Sequence, residues 1–243
     1  MSEGFYLYGI VRALGTGPGS GLGPGLGRGA SGEPLRSIES GALAAVAGES
    51  QGPPRPEPAA LTAHDAVVRR LAEQFPALLP ARFGQWLADE QTVIRQLAAH
   101  GPELTEALAK VAGCVQMTLR VYARESAEPA GPSPQEPPLE TPGGGPGTRY
   151  MEQRRREAER ERTLPEIAPL RDALRPLLRG ERIERPAAPP GRLRATAYDL
   201  IARDAAGAYS RIVAETAPLL GSCWHVTTSG PWPPYAFTPR PAP

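Results

Sequence analysis

Cys223, His225 and Cys114 are the side chains of this chain best suited to metal or nucleophile chemistry. Cys223 and His225 alternate in a stretch that reads as a strand, so both would point from one face, with Cys114 on a neighbouring strand. That gives three soft ligands at most, one short of the closed tetrahedral set of a structural zinc site. His64 and His100 fall in helical stretches of the other half of the chain and do not complete the set. A cysteine nucleophile activated by His225 is disfavoured as well, because side chains at i and i+2 of a strand stand about 7 Å apart. The reading is therefore packed thiols and a polar histidine, with no metal, no cofactor and no catalytic residue.

A second candidate is Gly27-Arg28-Gly29-Ala30-Ser31-Gly32, which satisfies G-x-G-x-x-G after a predicted strand. That spacing holds phosphate only when a tight turn delivers it to the N-terminus of a following helix. Here Pro34 and a β-like stretch follow, so dinucleotide binding is not expected. The run from Arg149 to Thr163 holds six arginines and four glutamates, mostly at i to i+4 spacing. Such mixed charge reads as a solvated helix face laced by weak pairs, and without interleaved aromatics it does not read as an RNA surface.

Composition points the same way. Lys and Arg total 27 against 26 Asp and Glu, a net charge of +1, so no overall field favours nucleic acid or an anionic membrane. Lys110 is the only lysine and asparagine is absent, a bias that takes functional weight from the arginine count. No apolar run approaches the roughly 20 residues of a membrane span, and the N-terminus does not read as a signal peptide, so a cytoplasmic protein is expected. Two widely separated cysteines do not suggest a disulfide framework.

The chain of 243 residues, 40% of them hydrophobic, suits two small cores. Its 30 prolines and 27 glycines cluster in the tract 15–34 and in an insertion, 126–147; both lack apolar periodicity and are expected to be mobile, as is the tail 238–243. The expected division is an N-terminal α/β domain, 1–112, and a C-terminal domain, 113–243. Tyr6, Tyr8 and Ile10 alternate with Phe5, Leu7 and Gly9 in a strand apolar on both faces, and 43–47 offers a second strand. Val67, Leu71, Phe75 and Leu78 recur at helical spacing; further helices begin near Asp89 and at Pro102. In the second half the pattern is a half-buried strand at 115–121, a helix broken by prolines, a strand at 193–202, a helix at 204–220 and a last strand at 222–229, an open α/β sandwich.

The most distinctive stretch is Ser229-Gly230-Pro231-Trp232-Pro233-Pro234-Tyr235-Ala236-Phe237. Three prolines within four positions remove amide donors and stiffen the backbone, so this segment should leave the sheet as an extended arm bearing aromatics. Those aromatics either close the C-terminal domain's own core or dock a partner. Together with the opening strand Phe5 to Val11, a central Leu79-Pro80-Ala81-Arg82-Phe83-Gly84, and Tyr150-Met151 followed by Arg154 and Arg155, the Gly230 to Tyr235 run resembles the gas vesicle protein L/F family. These landmarks occur in the family's order and span nearly the whole chain.

The resemblance implies a non-enzymatic accessory or minor structural protein of gas vesicle assembly. Its implied partners are the hydrophobic shell protein and other accessory proteins, with no nucleic acid, lipid membrane or small-molecule substrate. It also sharpens the C-terminal sandwich to a ferredoxin-like domain. The interaction or structural motif would comprise Arg82, Phe83, Gly84, Tyr150, Arg154, Arg155, Gly230, Pro231, Trp232, Pro233, Pro234 and Tyr235. Phe83 is expected to be buried and Arg82 to hold a carboxylate or backbone carbonyls. The competing reading is a small cytoplasmic α/β enzyme whose site leaves no mark in the sequence.

Overall fold

Strand β1 (Gly4–Arg12) is apolar on both sides because both sides are covered. The computed structural model describes residues 4–13, 25–124, 164–186 and 191–239. Within them the fold is mixed α/β, with two antiparallel sheets and five α-helices. Beside β1 lie β3 (Leu43–Ser50) and the two-residue strands β4 (Leu79–Pro80) and β5 (Trp86–Leu87), with β2 (Leu35–Ser40) outside β3. Tyr6 and Tyr8 share one face, but a register shift between Leu7 and Gly9 breaks strict alternation. Val11, rather than the expected Ile10, continues that face, and Ile10 joins Leu7 on the other.

Helix α1 (Pro58–Gln74) begins with proline, whose missing N–H costs nothing there, and buries Val67, Val68 and Leu71 against Tyr6, Tyr8 and Val11. The apolar stripe read through Phe75 and Leu78 outlasts the helix. Pro76 disfavours α geometry at Phe75, which is extended at φ −107, ψ 138, and Leu78 is buried from a non-helical backbone. Helix α2 (Glu90–Ala99) is capped by Asp89, whose Oδ1 accepts from the Thr92 amide at 2.6 Å. Helix α3 (Gly101–Val111) carries Pro102 in its first turn and is followed by Gly113 at φ 67, a left-handed geometry in which its N–H reaches the Pro76 carbonyl at 2.7 Å.

The second sheet has the order β7 (Leu178–Glu184), β8 (Leu193–Ala202), β6 (Cys114–Ala123), β9 (Trp224–Trp232), with α4 (Ala168–Leu174) and α5 (Ala206–Thr216) between strands in sequence. Strand β6 is interior to the sheet, and Gln116 and Thr118 are buried along with Met117, Leu119 and Val121, so it is not the half-solvated strand expected. Strand β7 was not expected at all. It lies at the edge, pairs antiparallel with β8, and its Leu-Arg-Gly-Glu-Arg-Ile-Glu sequence shows no clean alternation because few of its side chains are buried.

Two further expectations are corrected. Residues 25–34 are not a loose tract: Leu26 is buried, Arg28 bridges to Pro34, and the Gly29 amide donates to the Glu33 carbonyl at 2.8 Å, closing a turn that leads straight into β2. Strand β9 runs through Gly230, Pro231 and Trp232 instead of ending at Ser229; at a sheet edge the missing Pro231 donor breaks no ladder. Residues 15–24, the insertion 126–147, the charged run 149–163 with Tyr150, Arg154 and Arg155, and residues 240–243 lie outside the described residues.

The chain divides into two units, Met1–Gln116 with Pro231–Pro243, and Met117–Gly230. Against the expected 1–112 and 113–243, the last segment changes sides, because its apolar and polar partners lie on α1 and β4.

Candidate functional site

Helix α1 gathers two of the sequence landmarks onto the first unit. His64, only 3% exposed, is caged by the rings of Tyr6, Tyr8 and Phe83 at centroid distances of 5.5, 5.4 and 5.7 Å. Its Nε2–H donates to the Ala81 carbonyl at 3.1 Å, because a carbonyl can only accept. Its Nδ1 therefore accepts from the Tyr6 hydroxyl at 2.9 Å, and that oxygen accepts in turn from the Gly84 amide at 3.3 Å. One neutral imidazole thus ties α1, β1 and the Ala81–Gln85 connection together.

The connection is held at both ends by ladder bonds to β1, Ala81 N–H to the Tyr8 carbonyl and Leu7 N–H to the Gln85 carbonyl, each 2.9 Å. Gly84 turns it at φ 88, a conformation that strains any residue with a Cβ. Phe83 is half-buried, not buried as expected: a five-residue excursion between two short strands lets its ring cover His64 from the solvent side. Arg82 is exposed, and the bond at this residue is made by its backbone amide, to Gln85 Oε1 at 3.1 Å. Because the ring is only partly buried, Phe83→Ala is expected to cost about 1–2 kcal/mol, below the range for a core phenylalanine. A loss above that in chemical denaturation would restore the core role.

Burial holds His64 below the ordinary histidine range, while its bond to Ala81 opposes that shift. The sign of the pH effect follows. With the folded value below the unfolded one of about 6.5, the unfolded chain takes up the proton first, so stability is complete above about pH 6.5 and is lost as pH falls through the window beneath it. Denaturation midpoints at pH 7.5 and 5 should differ in wild type and differ less in His64→Gln. Equal slopes in the two proteins would remove His64 as the cause.

The C-terminal run is not a free arm. Pro233 and Pro234 are buried, and Tyr235 to Phe237 form a turn of 3-10 helix. The Tyr235 ring packs on the α1–β1 core and its hydroxyl donates to Asp65 Oδ1 at 3.2 Å. Asp65 also pairs with Arg69 at 2.6 Å, and the Arg69 guanidinium lies 4.3 Å from the Trp232 ring. The Ala236 amide donates to Gln116 Oε1 at 2.8 Å, and the Thr238 hydroxyl to the Pro80 carbonyl at 3.2 Å. Burial, then the Asp65 carboxylate, push the Tyr235 phenol well above its ordinary value, so it stays a donor. Landmarks about 150 residues apart in sequence therefore share one place, with Arg82 at its solvent side and Gly230 and Pro231 leading into it.

Two features escaped the sequence reading. His64 reads from the sequence only as a residue of a helical stretch, and nothing in the spacing marks its cage. In the second unit, Arg171 holds Asp199 through two bonds of 2.7 and 3.0 Å, pairs with Glu181 at 2.9 Å, and Asp199 accepts from the Tyr209 hydroxyl at 2.6 Å. Asp199 and Tyr209 are wholly buried. Among the described residues no group of three or more His, Cys, Asp or Glu stands together to hold a metal ion. Cys223 is exposed, Cys114 half-buried, and the His225 ring lies 6.1 Å from that of Tyr122.

This fold is that of gas vesicle proteins of known structure. Crystal structures of the gas vesicle protein GvpF from Anabaena sp. PCC7120 and from Microcystis aeruginosa each align over 98% of this chain and 99% of their own, at a TM-score of 0.67 and 21% and 18% identity. The profile of the gas vesicle synthesis protein GvpL/GvpF matches residues 4–239, and the chain belongs to that family. It is a family of gas vesicle proteins and not a known enzyme family. No curated protein sequence matches the chain. No helix among the described residues is long and apolar enough to cross a membrane.

Proposed function

We propose that this protein is an accessory or minor structural component of gas vesicle formation, working in the cytoplasm in association with the growing vesicle and binding its shell protein, other accessory proteins, or both. The observation that carries this reading is the family match, which runs from the first strand to the C-terminal turn. Arg82, Phe83 and Gly84 of the Ala81–Gln85 connection, Trp232 and Tyr235 of the packed arm, and with them Tyr150, Arg154 and Arg155, are the residues proposed to serve it. The second unit is read as ferredoxin-like, supported by its β-α-β-β-α-β element sequence and its strand order, β7-β8-β6-β9.

Deletion of this reading frame from a gas vesicle gene cluster expressed in a vesicle-free host should abolish vesicles, and supplying it in trans should restore them. Tagged protein should recover the shell protein or another product of the cluster. Undiminished vesicle yield after deletion, with no cluster product recovered, would sink the proposal.

A further inference from the structure

The bonds around His64 run in one direction. The Gly84 amide can only donate and the Ala81 carbonyl can only accept, so Gly84 N–H gives to the Tyr6 oxygen, Tyr6 O–H to His64 Nδ1, and His64 Nε2–H to Ala81, at 3.3, 2.9 and 3.1 Å. Every position is filled while the imidazole is neutral. A proton added at Nδ1 turns that acceptor into a donor facing the Tyr6 hydroxyl, which must rotate and leave its own hydrogen without the acceptor it had.

Hydration makes the same demand, because a buried imidazolium needs water or a counter-charge. The charged and titratable groups on the elements around the ring are committed elsewhere. Asp65 of α1 holds Arg69 and the Tyr235 hydroxyl of the C-terminal turn; Glu33 of the 30–33 turn takes the Tyr8 hydroxyl at 2.6 Å; Arg82 of the connection is exposed; Tyr6 and Tyr8 of β1 are neutral phenols. Of the three rings that cage His64, Tyr6 and Tyr8 are buried and Phe83 alone is partly exposed, so water reaches the charged ring past Phe83. The Gly84 bond is the longest of the chain, Gly84 is the turn of the connection, and the ladder bonds of Ala81 and Gln85 to β1 hold its ends. The part free to move is residues 82–84.

We propose that the Ala81–Gln85 connection is a proton-operated flap, latched while His64 is neutral and opened at residues 82–84 when His64 takes a proton. Release falls below about pH 6.5, because burial lowers the proton affinity of the closed form, and whatever opens the flap must in turn raise that affinity. The consequence for partners rests on the reading above of Arg82, Phe83 and Gly84 as an interaction surface, which opening takes apart.

Heteronuclear NMR on the full chain between pH 7.5 and 5 tests the flap. The His64 ring and the Gly84 amide are expected to titrate with one midpoint below about 6.5, while the Leu7 and Ala81 amides stay protected from exchange. In His64→Gln the Gly84 amide should stay still. Phe83→Ala, which opens the ring to water, should move the His64 midpoint up towards about 6.5, and Tyr6→Phe should do the same while uncoupling Gly84 from the titration. A Gly84 amide that stays still while His64 titrates, that moves equally in His64→Gln, or that is lost with every other amide in global unfolding overturns the proposal, as does a His64 still neutral at pH 5. Co-purification with the shell protein should fall at least about threefold between pH 7.5 and 5.5 in wild type and hold in His64→Gln. An opened flap with unchanged co-purification keeps the switch and removes residues 82–84 from the partner surface.

Discussion

Replacing Asp199 by alanine is expected to destabilise the second unit by about 3–5 kcal/mol. The carboxylate is wholly buried and takes two bonds from Arg171 and one from Tyr209, so its loss strands a guanidinium that is only 9% exposed and a phenol with no exposure. Glu181 stays beside Arg171 and recovers part of the charge compensation, but it cannot reach the geometry of the missing bidentate pair. Hydrogen exchange under rising denaturant should show β7, β8, α4 and α5 opening earlier, with α1 and β1 unchanged. A loss below about 1 kcal/mol would mean that the network contributes nothing beyond its volume. The double variant Arg171→Met with Asp199→Leu separates charge from shape: removing both partners together should cost much less than removing one.

Tyr235→Ala carries the second large expectation, a loss of about 2–4 kcal/mol in the first unit, from an aromatic packed on the α1–β1 core and a hydroxyl bonded to Asp65. Tyr235→Phe should lose only about 1 kcal/mol, the share of the hydrogen bond. Trp232→Ala should cost about 1 kcal/mol, because its side chain is only partly buried and the Arg69 guanidinium lies over its ring. Stability and co-purification with the shell protein should be measured on the same preparations. Unchanged stability with lost co-purification would make the run a docking arm after all.

Much of this fold could be read from residues. Asp89 as a cap, Pro102 in a first turn and Gly113 as a stop are local chemistry, and β1 and β3 are apolar runs too short for anything but strands. What escaped reading depends on position in the sheet. Strand β7 is an edge, so burial imposes no alternation on Arg179, Glu181 and Arg182. Pro231 looked like a strand breaker because its edge position was unknown. The register shift after Leu7 follows from how β1 meets β3, which no window of one strand contains. His64 and Asp199 become special only through Tyr6, Ala81, Arg171 and Tyr209, contacts that tertiary folding alone creates. The C-terminal run was legible as important aromatic chemistry, and misplaced because its partners lie on a helix 170 positions earlier.

The separation of Tyr235 from Asp65 sets an order of events during synthesis. Residues Met117–Gly230 form one unbroken stretch and can complete their unit as soon as they leave the ribosome, whereas the first unit lacks the Pro231–Pro239 turn until translation has passed it. At about 5–20 residues per second, α1 and β1 wait for roughly ten to thirty seconds with the Tyr235 side of their core uncovered. For that interval the half made first is the half finished last, and the nascent chain exposes the surface that the turn will later close.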